Sequence, residues 1–484
     1  MQEYVINLLT QPDKGWSLIS IPFAVVFIVF FLIYIFLRHS TRWLMLSYVT
    51  VFGLFFAYKA NGVLMLLLPV TVLVSYFLTE RMRKEEGKRR KALMWITIVL
   101  ELAPLIYYKY TNFLLDIVSD ITSSNISPLS IILPVGISFY TFQAISYTVD
   151  VYKQRFTLDV SLLEYAFYLT FFPLLMAGPI TRAETLIPQI KHRYHVNDTM
   201  VYAGLWLIMS GLLKKALIAD YIAQYNNWIF DDPTAYSGFE NLMGLLGYCL
   251  QIYCDFSGYS DISIGIASLM GITLKENFRF PYQSLNVQEF WRRWHISLST
   301  WFRDYVYIPL GGNRKGEIRT YLNVFITMLI AGLWHGATWM FVIWGAMHGV
   351  AQVIHKACKP WLDKLPEKWW VKVAAFLITF LFINFAWVFF RAQDLDTALA
   401  MLRNIFFNCS FDYLPPFIET RTLWVFLVVA GFALHAVRQK HLDYLKEKYI
   451  NSPITLKLIL LFVVMQLVIN LRQSDIQPFI YTQF

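Results

Sequence analysis

Long apolar runs separated by short polar and basic loops set the pattern of this chain. Ser17–Leu37 is almost unbroken in its hydrophobicity. Trp43–Tyr58, Gly62–Leu78, Leu93–Tyr108, Ala374–Phe390, Leu423–Val437 and Ile454–Leu471 repeat the pattern. Each approaches the ~20 residues that a helix needs to cross the hydrocarbon of a bilayer, and the alternating segments of a transmembrane β-barrel are absent. The expectation is an all-α polytopic membrane protein with roughly eleven to thirteen embedded helices, the middle of the chain being the ambiguous part. No solvated domain, internal repeat or low-complexity linker interrupts the pattern, so residues 1–484 read as a single integral-membrane domain. The first apolar run lacks a basic leader and is long enough to remain as a span, so no cleaved signal peptide is expected.

Two regions depart from simple spans. Gln283–Gly312 is aromatic yet rich in polar and charged residues. On a helical wheel Trp291, His295, Leu298, Phe302 and Tyr305 share one stripe, and Arg292, Ser299 and Arg303 another. That predicts an amphipathic helix, lying at the cytoplasmic interface or lining a polar cavity. In Pro173–Tyr194 the pair Gly178–Pro179 predicts a helix break. Broken backbone at membrane depth is tolerated only where protein or water surrounds it, so a re-entrant or interfacial segment is expected there.

Composition agrees with a lipid solvent: 57% of residues are hydrophobic and 15% charged, against roughly 25% charged in soluble domains. The net charge of +9 invites a nucleic-acid partner, but the basic residues gather in short loops, Arg81–Lys91, Gly312–Arg319 and Arg438–Lys448. That is the positive-inside distribution of a membrane protein, and no nucleic acid is implied. With Arg81–Lys91 cytoplasmic, counting spans puts the N-terminus, Asp116–Pro128 and Gln393–Glu419 outside and Lys356–Lys372 inside. Cys249, Cys254, Cys358 and Cys409 show neither a CxxC pair nor zinc spacing. They read as apolar fillers, with no disulfide framework and no metal site.

Ionisable groups within spans are costly, so each is a functional hypothesis. His335 lies in the apolar stretch Tyr321–Val350, bracketed by Gly332 and Gly336 at the spacing that lets helices approach closely. It is either a buried, hydrogen-bonded imidazole or a catalytic one. His348, between Gly345 and Gly349, reads as structural. His295 precedes His335 by forty residues; the two make no recognisable metal motif, but suit a base and an orienting or substrate-binding partner. His39, His192, His195, His355, His435 and His441 sit in or beside basic loops and read as solvated. Asp255, Tyr259 and Asp261, in Tyr253–Asp261, form either a polar seam that orients His or Arg, or a structural pairing with Arg292 or Arg303. No GxSxG, HExxH or Walker sequence occurs. A transporter or flippase for a lipid-linked saccharide is the rival from another class, supported by many spans, broken helices and interior charges and opposed by the lack of internal repeats.

The runs DFSGYSD (255–261), ENFRFPYQSLNVQEFWRRWHISLSTWFRDYVYIPLGGNRKG (276–316) and AGLWHGATWMFVIWGAMHG (331–349) occur in that order. Together they resemble the membrane-bound O-acyltransferase (MBOAT) superfamily, in its bacterial branch of alginate O-acetyltransferase and teichoic acid D-alanyltransferase. GISFYTFQAISYTVDVY (136–152), AGPITR (177–182) and the terminal PFIYTQF (478–484) are similar to the same branch, with Thr482 a small departure. The resemblance implies a ring of helices around a thinned centre, with funnels entering from both faces. It places the family histidine on His335 and the second polar position on His295. Asp255, Tyr259, Asp261, Asn277, Trp291, Arg292, Trp294, Ser299, Arg303 and Trp334 are the candidates for lining the substrate or donor tunnel.

The resemblance also implies the reaction. The donor is an acyl thioester on the cytoplasmic side of a bacterial inner membrane, acetyl-CoA or an acyl carrier, with no tightly bound cofactor. The acceptor is reached from outside: a hydroxyl on an extracytoplasmic polysaccharide, or a serine of a periplasmic SGNH-hydrolase-like relay protein. His335 is the expected general base. Lys214, Lys215, Arg292, Arg293, Arg314 and Lys315 are placed either to attract a phosphate-bearing donor or simply as positive-inside residues. Acylation of a membrane lipid or a peptide is the rival within the enzyme class.

Overall fold

The computed structural model describes residues 16–191 and 196–471, which are helical almost throughout and contain no strand. His192, His195 and the terminal Pro478–Phe484 lie outside the described residues. The chain divides into two compact units, one of residues up to Gly204 with Ile262–Lys275, the other of Leu205–Asp261 with Glu276 onwards.

The first unit contains α1 (Ile21–Leu37), α2 (Arg42–Asn61), α3 (Leu67–Arg83), α4 (Gly87–Thr122) and α5 (Ile137–Tyr152). The shorter α6 (Leu162–Thr170), α7 (Phe172–Leu175) and α8 (Ala183–Lys191) follow. Local signals start these helices where the apolar runs begin. Pro22 opens the first turn of α1 and the Ser20 side chain accepts from the Phe23 N–H at 3.3 Å, satisfying a donor that the helix start would leave orphaned. Ser161 and Glu164 form a reciprocal capping box on α6. Aromatic rings fill the space between elements: Phe30 stacks on Phe52 at 4.1 Å, and Phe172 meets Phe52 edge-on at 4.9 Å. The expected break at Gly178–Pro179 is present, since α7 ends at Leu175 and helix resumes only at Ala183. A Cβ on Gly178 would stand 2.6 Å from the Leu174 Cα, so the turn requires glycine, and the buried Ala177, Ile180 and Thr181 show that protein surrounds the broken backbone. Glu101, inside the Leu93–Tyr108 run, is buried and accepts from Ser75 at 2.6 Å and Thr148 at 2.8 Å.

The remaining helices are α9 (Asp198–Leu212), α10 (Asp220–Asp231), α11 (Gly238–Leu269), α12 (Val287–Arg293) and α13 (Ile296–Phe302). After them come α14 (Glu317–His335), α15 (Trp339–Leu362), α16 (Trp369–Arg391) and α17 (Leu395–Phe407). The chain ends through α18 (Leu414–Thr420), α19 (Thr422–Ala436), α20 (Gln439–Ile450) and α21 (Ile454–Leu471). Among the described residues, Arg42–Arg83, Gly87–Thr122, Asp198–Asp231, Trp369–Arg391 and Ile454–Leu471 are long and apolar enough to cross a membrane. A sixth arises if α18 and α19, bent by 104°, count as one span. The other embedded helices of the sequence expectation are shorter or less apolar.

Two expectations change in the second unit. The amphipathic helix over Gln283–Gly312 is not continuous: α12 and α13 are separate, and a π-helical turn over Arg303–Tyr307 follows. The stretch Tyr321–Val350 is divided as well, because α14 stops at His335 and α15 begins at Trp339, making a helical hairpin.

Candidate active site

The α14–α15 hairpin fixes His335. It is the last residue of α14, and Gly336 leaves the helix in an extended conformation. Glycines bring the two helices together: a Cβ on Gly345 would lie 2.7 Å from the Met328 carbonyl oxygen and 3.1 Å from the Gly332 Cα. Gly349 faces Phe325 in the same way, at 2.8 Å from its ring. Close packing of this kind is what small residues permit between apolar helices. Gly336 has a different task from the one expected. It lies in the turn beneath the Phe341 ring, which leaves no space for a side chain. Packed this way, His335 is 2% exposed. Its imidazole is edged by Trp334 at 5.0 Å, Trp344 at 5.0 Å and Phe390 at 5.2 Å.

His295 occupies the break between α12 and α13, with φ 42° and ψ 57°. A non-glycine residue in this left-handed region is strained by about 1–3 kcal/mol and persists only where its surroundings hold it. Here the segment Asn277–Arg279 does so. The Arg279 N–H donates to the Arg293 carbonyl, and the Ile296 N–H to the Asn277 carbonyl, both at 2.9 Å. The Asn277 side chain adds to the clamp: Oδ1 accepts from the Ser297 N–H at 3.1 Å and from Ser297 Oγ at 2.9 Å, while Nδ2 donates to Ser260 Oγ at 3.2 Å. Because a backbone N–H only donates, the atom facing Ser297 is the amide oxygen. The His295 Nδ1, 3.3 Å from the same oxygen, must then carry the proton, which leaves the lone pair of the neutral ring on Nε2. Nε2 is buried and has no hydrogen-bond partner among the described residues. The ring stands edge-on to Phe256 at 4.6 Å and 6.1 Å from the Trp334 indole. Trp334 therefore touches both histidines, and the fold brings together the two groups that the sequence separates by forty residues.

The carboxylates of Tyr253–Asp261 pair with lysines, not with the expected Arg292 or Arg303. Asp261 binds Lys214 at 2.7 Å, and the buried Lys215 bridges Asp255 and Asp220. A π-helical turn over Leu213–Ala219 carries both lysines, and Gly258, midway between the two aspartates, lets it close on α11. A Cβ there would lie 2.8 Å from the Gly211 carbonyl oxygen and 2.9 Å from the Lys215 nitrogen. Arg292 is exposed, and Arg303 is exposed beside Asp304 at 2.7 Å. Arg293 pairs with Glu289 at 2.6 Å, and Arg314 and Lys315 are exposed. Tyr259, Trp291 and Trp294 are buried, and Ser299 bonds back to the Trp294 carbonyl at 3.2 Å.

His348 accepts from the Trp291 indole N–H at 3.3 Å through Nδ1 and packs on Trp344 at 4.7 Å, in keeping with a structural role. His435 is a correction. It is buried, accepts from the Tyr282 N–H at 3.1 Å and lies against Tyr253 at 4.5 Å, because it belongs to the last turn of α19, which ends at Ala436 before the basic residues begin at Arg438. His39 and His441 are exposed and His355 is half-buried. Asn384, the lone amide in the apolar Ala374–Phe390 run, is buried in the same unit, and that isolation is a signal the sequence carries.

Residues 153–393, which include both histidines, match the model of the membrane-bound O-acyltransferase family. The chain is 41% identical to a probable alginate O-acetylase of Azotobacter vinelandii over 73% of this chain and 70% of the relative. It is 38% identical to a peptidoglycan O-acetyltransferase of Helicobacter pylori, over 75% and 73% respectively. A teichoic acid D-alanyltransferase of Bacillus subtilis is 27% identical over 71% of this chain and 89% of its own length.

Proposed function

The chain belongs to the membrane-bound O-acyltransferase family and is a multi-pass O-acyltransferase, and on that premise we propose that it carries an acetyl group from a cytoplasmic thioester to a hydroxyl of a saccharide polymer outside the bacterial inner membrane. The relatives are named for alginate, peptidoglycan and teichoic acid, which supports an envelope polymer over a lipid or peptide acceptor. Transfer runs either directly to the glycan or through a secreted, SGNH-hydrolase-like relay protein. The basic loops support a cytoplasmic Arg81–Lys91 and an extracytoplasmic N-terminus. Exposed Arg292, Arg314 and Lys315 are available to a phosphate-bearing donor such as acetyl-CoA, whereas Lys214 and Lys215 are engaged by carboxylates.

The observation that carries this reading is the meeting of His335 and His295 on the Trp334 indole. In the proposed step the acceptor oxygen attacks the thioester carbonyl carbon, and His335 takes the hydroxyl proton as the new C–O bond forms. The C–S bond breaks, and the proton passes from His335 to the departing sulfur, which regenerates the neutral imidazole. His295 has its proton on Nδ1, so Nε2 is an acceptor and holds the saccharide through a second hydroxyl next to the reacting one, whose own proton goes to His335. That tautomer does not suit the other role open to His295, polarising the thioester carbonyl, which needs a donor.

Coenzyme A release by the purified protein, given acetyl-CoA with and without a saccharide acceptor, tests the proposal. A positioned base contributes about 10²–10⁴-fold, so His335→Ala should lose at least a hundredfold in acceptor-dependent release while keeping its fold. A His335→Ala protein that works at the wild-type rate removes the base from the mechanism.

A further inference from the structure

Phe280 and His295 both have a left-handed backbone, which non-glycine residues rarely adopt. The segment Asn277–Arg279 holds His295, and Phe280 is the next residue along that segment. At φ 45° and ψ 60° Phe280 is strained on two counts: it has a side chain, and Pro281 favours extended backbone in the residue before it. A clamp is only as firm as its own anchor, so whatever fixes Phe280 bears on His295.

The anchor is the last turn of α19. His435 Nε2 accepts from the Tyr282 N–H at 3.1 Å. Gln283 Nε2 donates to the His435 carbonyl at 2.5 Å and to the Val437 carbonyl at 3.2 Å, acceptors that a helix end leaves unpaired. Phe280, Tyr282 and Tyr253 cage the imidazole, with ring centroids at 5.4, 5.3 and 4.5 Å. Because a backbone N–H only donates, the lone pair of the neutral ring is on Nε2. Nδ1 has no hydrogen-bond partner among the described residues, so the bond to Tyr282 is the ring's single polar tie there. A phenylalanine would fill the same cage; what it lacks is the acceptor.

We propose, on the reading that His295 holds the saccharide, that His435 is a positioning residue for acyl transfer. By accepting the Tyr282 N–H it fixes the left-handed turn at Phe280, and through Asn277–Arg279 it fixes the His295 imidazole. The intervening Phe278 packs along the same line, edge-on to Trp294 at 5.1 Å and stacked on the His295 ring at 6.3 Å. His435 lies beyond the 153–393 stretch that matches the family model, so this support comes from a part of the chain outside that match.

Acceptor-dependent coenzyme A release by the purified full chain tests this with three substitutions at one position. His435→Leu and His435→Phe, of different size, both lack the acceptor. Each should lower kcat about ten- to hundredfold, the loss that a displacement approaching 1 Å brings to a reacting geometry. The KM for acetyl-CoA should stay unchanged, because His295 holds the other substrate. His435→Gln, whose side-chain oxygen reaches the place of Nε2, should recover most of the rate. Asn277→Leu acts on the same imidazole, so adding it to His435→Leu should cost little more than the worse single change, whereas independent losses multiply. Thermal unfolding checks that each variant is folded. Wild-type turnover in the leucine or phenylalanine variant, an equal defect in the glutamine variant, or losses that multiply overturns the proposal. His295→Ala separates the two claims. Wild-type transfer by that variant removes the role of His295 itself, whereas a dead His295→Ala beside a fully active His435→Leu removes only the role of His435.

Discussion

Gly345→Ala is a sensitive test of how the hairpin positions His335. In an ordinary helix this change is favourable by about 1 kcal/mol, because alanine is the better helix former. Here the added methyl would sit 2.7 Å from the Met328 carbonyl oxygen, where ordinary contact begins at 3.4 Å. Its three nearest atoms all belong to the backbone of α14, so no side chain can swing aside. The helices must part by about 0.7 Å or the methyl must overlap, and overpacking of this kind costs about 1–3 kcal/mol. The neighbouring Trp344 carries that displacement to the His335 ring, which it contacts at 5.0 Å. An error of 1 Å in a reacting geometry is worth about a hundredfold in rate, so a ten- to hundredfold fall in acetyl transfer is expected, with a lower thermal midpoint. Both follow from purified protein, by thiol release and by thermal unfolding in detergent. A Gly345→Ala enzyme that is as active as wild type and more stable would show that the glycine contact does not govern the site.

Two further outcomes follow from the polar groups. Asn277→Leu removes the acceptor that fixes the His295 tautomer and should lower kcat by one to two orders of magnitude, within the range of a misplaced proton-transfer group. Asn277→Asp keeps an acceptor oxygen and should recover much of that loss; equal defects in the two variants would assign Asn277 to packing alone. Lys215→Met leaves the buried Asp255 carboxylate without its lysine, at a cost of about 3–5 kcal/mol. Asp255→Asn added to it should restore part of the thermal midpoint, and strictly additive losses would refute the pairing.

Spans were legible because their signal is local. The apolar run Ile454–Leu471 coincides with α21, and Ala374–Phe390 falls within α16. The break at His295 was not legible. WRRWHIS contains no glycine or proline, and its apolar stripe runs unbroken from Trp291 to Phe302, so periodicity predicts one helix. What stops it is the distant Asn277–Arg279 segment, which supplies hydrogen bonds that a continuous helix would not accept. Partner choice was hidden for a similar reason: nothing in the spacing says that Asp255 and Asp261 meet lysines forty-odd residues upstream and not nearby arginines. His435 misled through its basic neighbours, although loop chemistry does not report on the helix preceding it. Glu101, an acid in an apolar run, carries the same signal of a costly group and belongs to the first unit. His335, by contrast, announced itself, since an imidazole flanked by glycines in an apolar run has few settings open to it.

The aromatic shell around His335 bears on fidelity. A thioester is as open to hydrolysis as to transfer, and a base able to deprotonate a sugar hydroxyl can equally deprotonate water. Trp334, Trp344 and Phe390 press on the imidazole from three directions and leave it 2% exposed, so a stray water finds little room beside it until an acceptor arrives. On the proposed mechanism the same rings that hold the His335 imidazole set the leak of the reaction, the fraction of acyl groups lost to hydrolysis, and that ratio is a property of packing, separable from the rate itself.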